Sequence, residues 1–238
     1  MIGCACEVCR SLDYRDKRLR SSVHLNIGGR SLVIDTGPDF RQQMLRENIL
    51  RLDAILFTHA HRDHTAGLDD VRAYNFLQSM DMPVYGEQKT LSQLHSEFYY
   101  AFELNKYPGT PQLKLIEITD HPFEVEGVPI TPLPVHHLNM PVMGFRINDF
   151  SYITDANFIP EETRERLKGT RILVLNALQR EKHISHFNLR EAIDAALMIG
   201  AEQTYLTHIS HKLGLHKQVE KELPPSVALS YDGLTLTL

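Results

Sequence analysis

The chain has no tryptophan and only three cysteines, all inside "CACEVC" at Cys4, Cys6 and Cys9. An odd, clustered set is a poor disulfide framework, and short-spaced thiols in a reducing compartment more often hold metal. A cytoplasmic protein is therefore expected. No apolar run approaches the ~20 residues of a membrane span. Cys4, Cys6, Cys9 and Arg10 also interrupt any hydrophobic stretch of the kind a signal peptide needs. Basic charge is not in excess. The formal charge is −5, which argues against a large nucleic-acid footprint, because phosphate binding needs a basic face. Internal repeats, low-complexity stretches and linkers are missing too, so a single domain over residues 1–238 is the simplest expectation. Histidine is abundant, with 13 among 238 residues, most of them clustered.

Periodicity gives a mixed order of strands and helices. "SVHLNIGGRSLVID" alternates around Gly28-Gly29 and predicts a β-hairpin. "LDAILF", "PVYG", "QLKLIEI", "PFEV", "VPITPLPV", "VMGFRI", "FSYIT", "RILVLNA" and "QTYLTH" read as strands. Helices are predicted after Pro38, over "LDDVRAYNFLQ", in "PEETRERLKG", in "NLREAIDAALMIGA" and over "KLGLHKQVEKEL". A helical insertion is expected near residues 87–112. Its five aromatics (Phe98, Tyr99, Tyr100, Phe102, Tyr107) point to packing rather than to a basic RNA clamp. "VALSYDGLTLTL" predicts a closing hairpin around Asp232-Gly233. Two sheets packed together with helices outside would satisfy this order.

The densest chemistry is "THAHRDH", residues 58–64, directly after an apolar strand. His59 and His61 are two apart and can aim at one ion from an extended loop, while Asp63 and His64 can face a second. Three further segments end apolar strands in potential ligands. His136 and His137 close "LPVHH", Asp155 closes "YITD" and His208 closes "YLTH".

Together these segments resemble the metallo-β-lactamase superfamily, whose H-x-H-x-D-H signature matches residues 59–64. The resemblance implies an α/β, four-layer αββα sandwich and a dinuclear site. His59, His61, His137 and Asp155 would hold one divalent ion, with Asp63, His64, Asp155 and His208 on the other. His136 stays open as the alternative to His137. The ions would be Zn²⁺, Mn²⁺ or Fe²⁺, among which ligand type does not choose. Asp35 matches an aspartate that supports a ligating histidine from behind. The cysteine segment resembles that of the PhnP-type cyclic-phosphate phosphodiesterases. That likeness implies a structural zinc on Cys4, Cys6, Cys9 and His211, apart from the reaction. His186 resembles the histidine such phosphodiesterases bring to the phosphate, with His183 as the neighbouring candidate. The same relatives normally begin with a strand and a glycine-rich loop that this sequence lacks ahead of Met1, which would leave a sheet edge unpaired.

The expected activity is hydrolysis of a small cyclic phosphodiester, such as a phosphoribosyl cyclic phosphate, or of a nucleotide diester. Two divalent ions would activate the water. Asp63 would orient it, and a protonated His186 would act on the leaving oxygen. A small phosphodiester is thus the expected partner, with no membrane and no large nucleic acid. The resemblance further implies a homodimer. Three other readings compete: a nuclease like the tRNA 3′-processing enzymes, a thioester or lactone hydrolase on the same metal pair, and a non-hydrolytic relative in cofactor biosynthesis.

Overall fold

The computed structural model describes residues 1–238. The chain falls into two compact units, Arg20–Pro129 and Met1–Leu19 with Ile130–Leu238.

In the unit Arg20–Pro129, β1 (Val23–Ile27) and β2 (Arg30–Ile34) form the expected antiparallel hairpin. Gly28 and Gly29 take φ of +57° and +75° at its tip, which a two-residue loop of this kind requires. β3 (Ala54–Leu56), β4 (Met82–Gly86) and β5 (Leu113–Glu117) then add in parallel, giving the order β1-β2-β3-β4-β5. β3 is buried at every residue, as a central parallel strand covered on both faces must be. The remaining strand is β6 (Phe123–Val125). The core joins Val33, Ile55, Phe57 and Val84 to Phe40, Leu68 and Leu94. Those last residues belong to or adjoin α2 (Phe40–Arg46), α4 (Arg72–Gln78) and α5 (Gln88–Glu97). Residues 87–112 are helical only over α5 and a 3-10 turn at Tyr99–Ala101. Phe98 is in the core and the Tyr100 hydroxyl donates to Asp69 Oδ1 at 2.6 Å, whereas Tyr99 and Tyr107 are exposed.

In the other unit the order is β12-β11-β10-β9-β8-β7. These are β7 (Val128–His137), β8 (Met140–Ile147), β9 (Phe150–Ile153), β10 (Ile172–Asn176), β11 (Gln203–Thr207) and β12 (Val227–Leu229). β7, β8 and β9 pair antiparallel, and β9 to β12 pair parallel. β7 therefore runs in the same sense as β9, β10 and β11, and all four release their C-terminal ends at one edge. α7 (Leu189–Ile199) starts on an Asn188–Glu191 capping box and stops at Gly200 with φ +72°. It covers a core of Leu133, Val135, Ile153, Leu173, Leu175 and Leu206. α6 (Glu161–Leu167) and the one-turn helix α1 (Glu7–Arg10) complete the helical part with α8 (His216–Val219).

Two expectations need correction. "KLGLHKQVEKEL" is not one helix: Gly214 takes φ +115°, and only α8 and a 3-10 turn at Glu220–Glu222 follow it. The C-terminal hairpin is also not formed. β12 pairs with β11 instead, and the Asp232 carboxylate accepts the Leu19 backbone N–H at 2.9 Å. The expected turn residue thus serves to tie down the N-terminal segment. No helix is long and apolar enough to cross a membrane.

Candidate metal centre

β2 and β3 are parallel neighbours, so Asp35 and the 58–64 loop leave the sheet at the same edge. That edge, at strand carboxyl ends, is where open α/β sheets place ligands. Asp35 takes φ +63°, an unfavourable state for a residue with a side chain, and is fully buried. Its carboxylate is satisfied by three donors. Thr58 N–H reaches Oδ1 at 2.9 Å, while the Thr58 hydroxyl and His64 Nδ1 reach Oδ2 at 2.8 and 2.7 Å. These bonds determine tautomers. His64 Nδ1 donates to the carboxylate, so Nε2 carries the lone pair. The Thr58 proton is already given to Asp35, so Thr58 Oγ1 can only accept from His59 Nδ1 at 2.9 Å. His59 Nε2 then carries its lone pair too. The His59 ring centroid lies 4.6 Å from that of His61 and 4.4 Å from that of His64. Asp63 and His64 belong to the one-turn helix α3 (Arg62–Thr65). The sequence singled out Asp35 but not Thr58, although Thr58 stands in the motif itself.

This relay yields a prediction. D35N replaces a double acceptor with a group that is half donor, so one imidazole loses its enforced tautomer. Affinity for a divalent ion is expected to fall roughly 10- to 100-fold. Competition against a chromophoric chelator would measure it, and unchanged affinity would show the relay to be incidental.

At the common edge of β7, β9 and β11 stand His137, Asp155 and His208. Asp155 and His208 both take left-handed φ, +57° and +53°. Two left-handed non-glycine residues at one strand edge mark stored strain of the kind found at functional sites. The Asp155 turn is braced, since the Asn176 side chain bonds Ala156 N at 2.8 Å and Ala156 O at 2.9 Å. Asn176 ends β10, between the two strands that carry Asp155 and His208, and the sequence reading missed it. Strand-end register could have flagged it. Thr154 Oγ1 donates to Asp155 Oδ2 at 2.7 Å. Asp155 Oδ2 is 3.4 Å from His208 Nε2, and Oδ1 is 3.7 Å from His186 Nδ1. The His186 ring stacks on His208 at 5.0 Å and meets His137 edge-on at 4.5 Å. His137 Nδ1 donates to the Asp155 carbonyl at 2.9 Å, which leaves Nε2 as its lone-pair atom. His136 points elsewhere, exposed and tilted over Phe158 at 5.8 Å. His137 and not His136 therefore shares this cluster. His183 lies 5.1 Å from His186, one shell away from Asp155.

Asp155, His186 and His208 present ligand atoms within 4.8 Å of one another. Buried His186 Nδ1 has no hydrogen-bond partner, which is costly unless another electrophile or proton serves it. Burial pushes the His186 pKa down to about 4 although Asp155 pulls upward. Burial thus disfavours the protonated imidazole in the free chain. Lone-pair imidazoles beside a carboxylate are a donor set that fits divalent ions.

The cysteine segment forms a second cluster. Cys4, Cys6, Cys9 and His211 place their ligand atoms within 4.8 Å of one another. Cys4 and Cys6 Sγ lie 3.5 and 3.4 Å from His211 Nδ1. The Cys9 backbone N–H and then His211 depress the Cys6 thiol to about 6. A thiolate available at neutral pH, with two more thiols and an imidazole, fits a closed tetrahedral zinc site. Its anchor was not legible in the sequence. His216 N–H donates to Asp16 Oδ1 at 2.8 Å, and Arg18 Nη2 lies 3.2 Å from His216 Nδ1. Burial, then the Arg18 charge, pushes buried His216 down to about 4, so it stays neutral and accepts from Arg18.

Comparison with known proteins gives three kinds of match. The family model described as beta-lactamase superfamily domain matches residues 30–209. The crystal structure of a new diphosphatase from the PhnP family superposes with a TM-score of 0.93 at 38% identity, covering 100% of this chain and 91% of that one. A protein of Porphyromonas gingivalis named octanoyltransferase is 42% identical over 98% of this chain. The chain spans only 48% of that protein's length. A ribonuclease Z of Mycobacterium sp. (strain KMS) is 24% identical over 81% of this chain and 78% of its own. The αββα architecture implied by the sequence is the fold these matches support.

Proposed function

Because this chain belongs to the β-lactamase superfamily, and within it to the PhnP family, we propose that it is a metal-dependent hydrolase and that it hydrolyses a small phosphodiester. The substrate class we infer is a cyclic phosphate, such as a phosphoribosyl cyclic phosphate, or a nucleotide diester. The observation that carries this reading is the packing of His186 against His137 and His208 beside Asp155, with its buried Nδ1 left without a hydrogen-bond partner.

His59, His61, His137 and Asp155 would hold one divalent ion, and Asp63, His64, Asp155 and His208 the other. When bound, such a pair supplies Lewis-acid stabilisation of phosphate oxygens and a water of lowered pKa. The chain's own groups do the rest. Asp35 and Thr58 hold the His59 and His64 tautomers, so that no proton competes at Nε2. Asp155 is fixed by Thr154 and Asn176 before substrate arrives, so no reorganisation is needed during reaction. Asp63 orients the attacking water. His186 is neutral in the free protein, and an anionic phosphate brought against it raises its proton affinity. It takes up a proton from solvent as the phosphate binds and gives that proton to the leaving alkoxide, returning to the neutral imidazole. Zn²⁺ and Mn²⁺ both suit these ligands. Cys4, Cys6, Cys9 and His211 would hold a separate structural zinc. We further propose a cytoplasmic location and a homodimer.

H186N is expected to lower kcat by roughly 10²- to 10⁴-fold, the usual contribution of a general acid, with metal content unchanged. Loss of metal in this variant would make His186 a ligand instead.

A second reading is acyl-group hydrolysis on the same metal pair, favoured by the 42% identity to half of a protein named octanoyltransferase. Parallel assays with bis(p-nitrophenyl) phosphate and p-nitrophenyl octanoate separate the two. Turnover of the diester alone supports the phosphodiesterase, and turnover of the ester alone replaces it.

A further inference from the structure

His208 and His211 stand three residues apart, yet they belong to different clusters. His208 Nε2 lies 3.4 Å from Asp155 Oδ2, whereas His211 Nδ1 lies 3.5 and 3.4 Å from the Cys4 and Cys6 thiols. The short stretch between them is held. It leaves β11 through His208 at φ +53°, a strained state that persists only where the surroundings over-determine it. Upstream, β11 is fixed by its pairing with β10 and β12. Downstream, a ladder of backbone hydrogen bonds takes over. Ser210 N–H donates to the Leu178 carbonyl at 2.8 Å, Leu178 N–H to the Phe187 carbonyl at 3.0 Å, and Phe187 N–H to the Ala156 carbonyl at 2.8 Å. Each rung touches the neighbourhood of one member of the other cluster. Ser210 is two residues after His208, Phe187 follows His186, and Ala156 follows Asp155. The ladder starts one residue before His211, so a shift of His211 is delivered to all three. Sulfur–imidazole hydrogen bonds are weak, whereas a shared cation would hold four donors at once.

We infer that His211 is a positioning residue for the histidine–aspartate cluster, so that filling the cysteine cluster tightens divalent-ion binding at Asp155 and His208. This rests on the metal-binding reading of both clusters given above. The element with two states is the turn at His208, either strained and presenting its imidazole beside Asp155, or relaxed. Two sites that bias one such element are coupled, and a coupling of this kind typically changes affinity about 5- to 150-fold. The cysteine cluster then does more than stabilise the fold. When metal is scarce, its filling sets whether the reaction site is filled as well.

The test measures Mn²⁺ affinity by electron paramagnetic resonance of the free ion, since a hard cation is a poor match for thiolates. Wild type, dialysed against a chelator until one zinc per chain remains, is compared with C9S and S210G. Near-UV circular dichroism at low temperature checks that each is folded. C9S removes a ligand of the cysteine cluster. S210G keeps every ligand of both clusters and loosens the link, because glycine adds backbone freedom beside His211. Mn²⁺ binding is expected to weaken roughly tenfold in C9S. In S210G it should weaken by a smaller factor with the zinc retained. At saturating Mn²⁺ the kcat of both variants should return to within a few-fold of wild type, because geometry is restored once the ion is bound. Unchanged Mn²⁺ affinity in either folded variant would overturn the inference. Wild type that binds Mn²⁺ but holds no zinc on its cysteines would overturn it too and leave the hydrolase reading standing. Wild type that binds neither ion would overturn both.

Discussion

Replacing Asp155 with asparagine is expected to lower phosphodiester turnover by about 10³-fold. The estimate follows from a divalent pair supplying several kcal/mol at the transition state, at ~1.4 kcal/mol per tenfold. The substitution isolates charge from shape. Asparagine is the residue besides glycine and aspartate that best tolerates the left-handed φ of +57° found at Asp155. Asn176 grips the backbone of Ala156 rather than the Asp155 side chain, so the turn should persist. The melting temperature is therefore expected to stay within a few degrees while the carboxylate charge is gone. Saturation kinetics on bis(p-nitrophenyl) phosphate and a thermal melt together check this. A variant keeping more than a tenth of the activity would remove Asp155 from the metal set. A collapsed melt would make its role structural.

C6S or H211A should release a structural zinc and lower the melting temperature by roughly 10 °C or more, because a metal bound only by the folded state adds its binding energy to stability. Activity measured well below the melt should fall far less than in D155N. Acid should act the same way. Folding depresses the Cys6 pKa from 9.0 to about 6, so the contribution of its thiolate is complete above pH 9 and is lost as pH falls through about 6. Zinc release, followed with a fluorescent indicator, is expected over that lower limit. Melting curves of C6S and wild type that coincide with and without chelator would mean that the cysteines are free thiols.

The clusters were legible because ligands are dense and lie at strand ends, where an apolar run stops at a polar residue. "AILFTHAHRDH" and "YITD" each place chemistry where a buried strand must emerge. The His136–His137 ambiguity could not be settled by pattern, because alternation along β7 sends neighbours to opposite faces and only the strand's register decides which faces Asp155. Asn176 was hidden because a buried amide at a strand end resembles an ordinary turn residue. The failed helix after Lys212 shows the opposite error. "KLGLHKQVEKEL" has helical spacing, but Gly214 at φ +115° and the Asp16–His216 bond begin the helix only at His216. Tertiary hydrogen bonds outweighed local propensity there, as they did at Asp232.

Metal analysis of purified wild type beside D155N weighs the central claim most directly. Three divalent ions per wild-type chain are expected, two of them at the histidine–aspartate ligands and one on the cysteines, with D155N keeping the cysteine-bound ion and losing one or both of the others. A wild-type chain that binds a single ion, unchanged in D155N, would contradict a dinuclear centre.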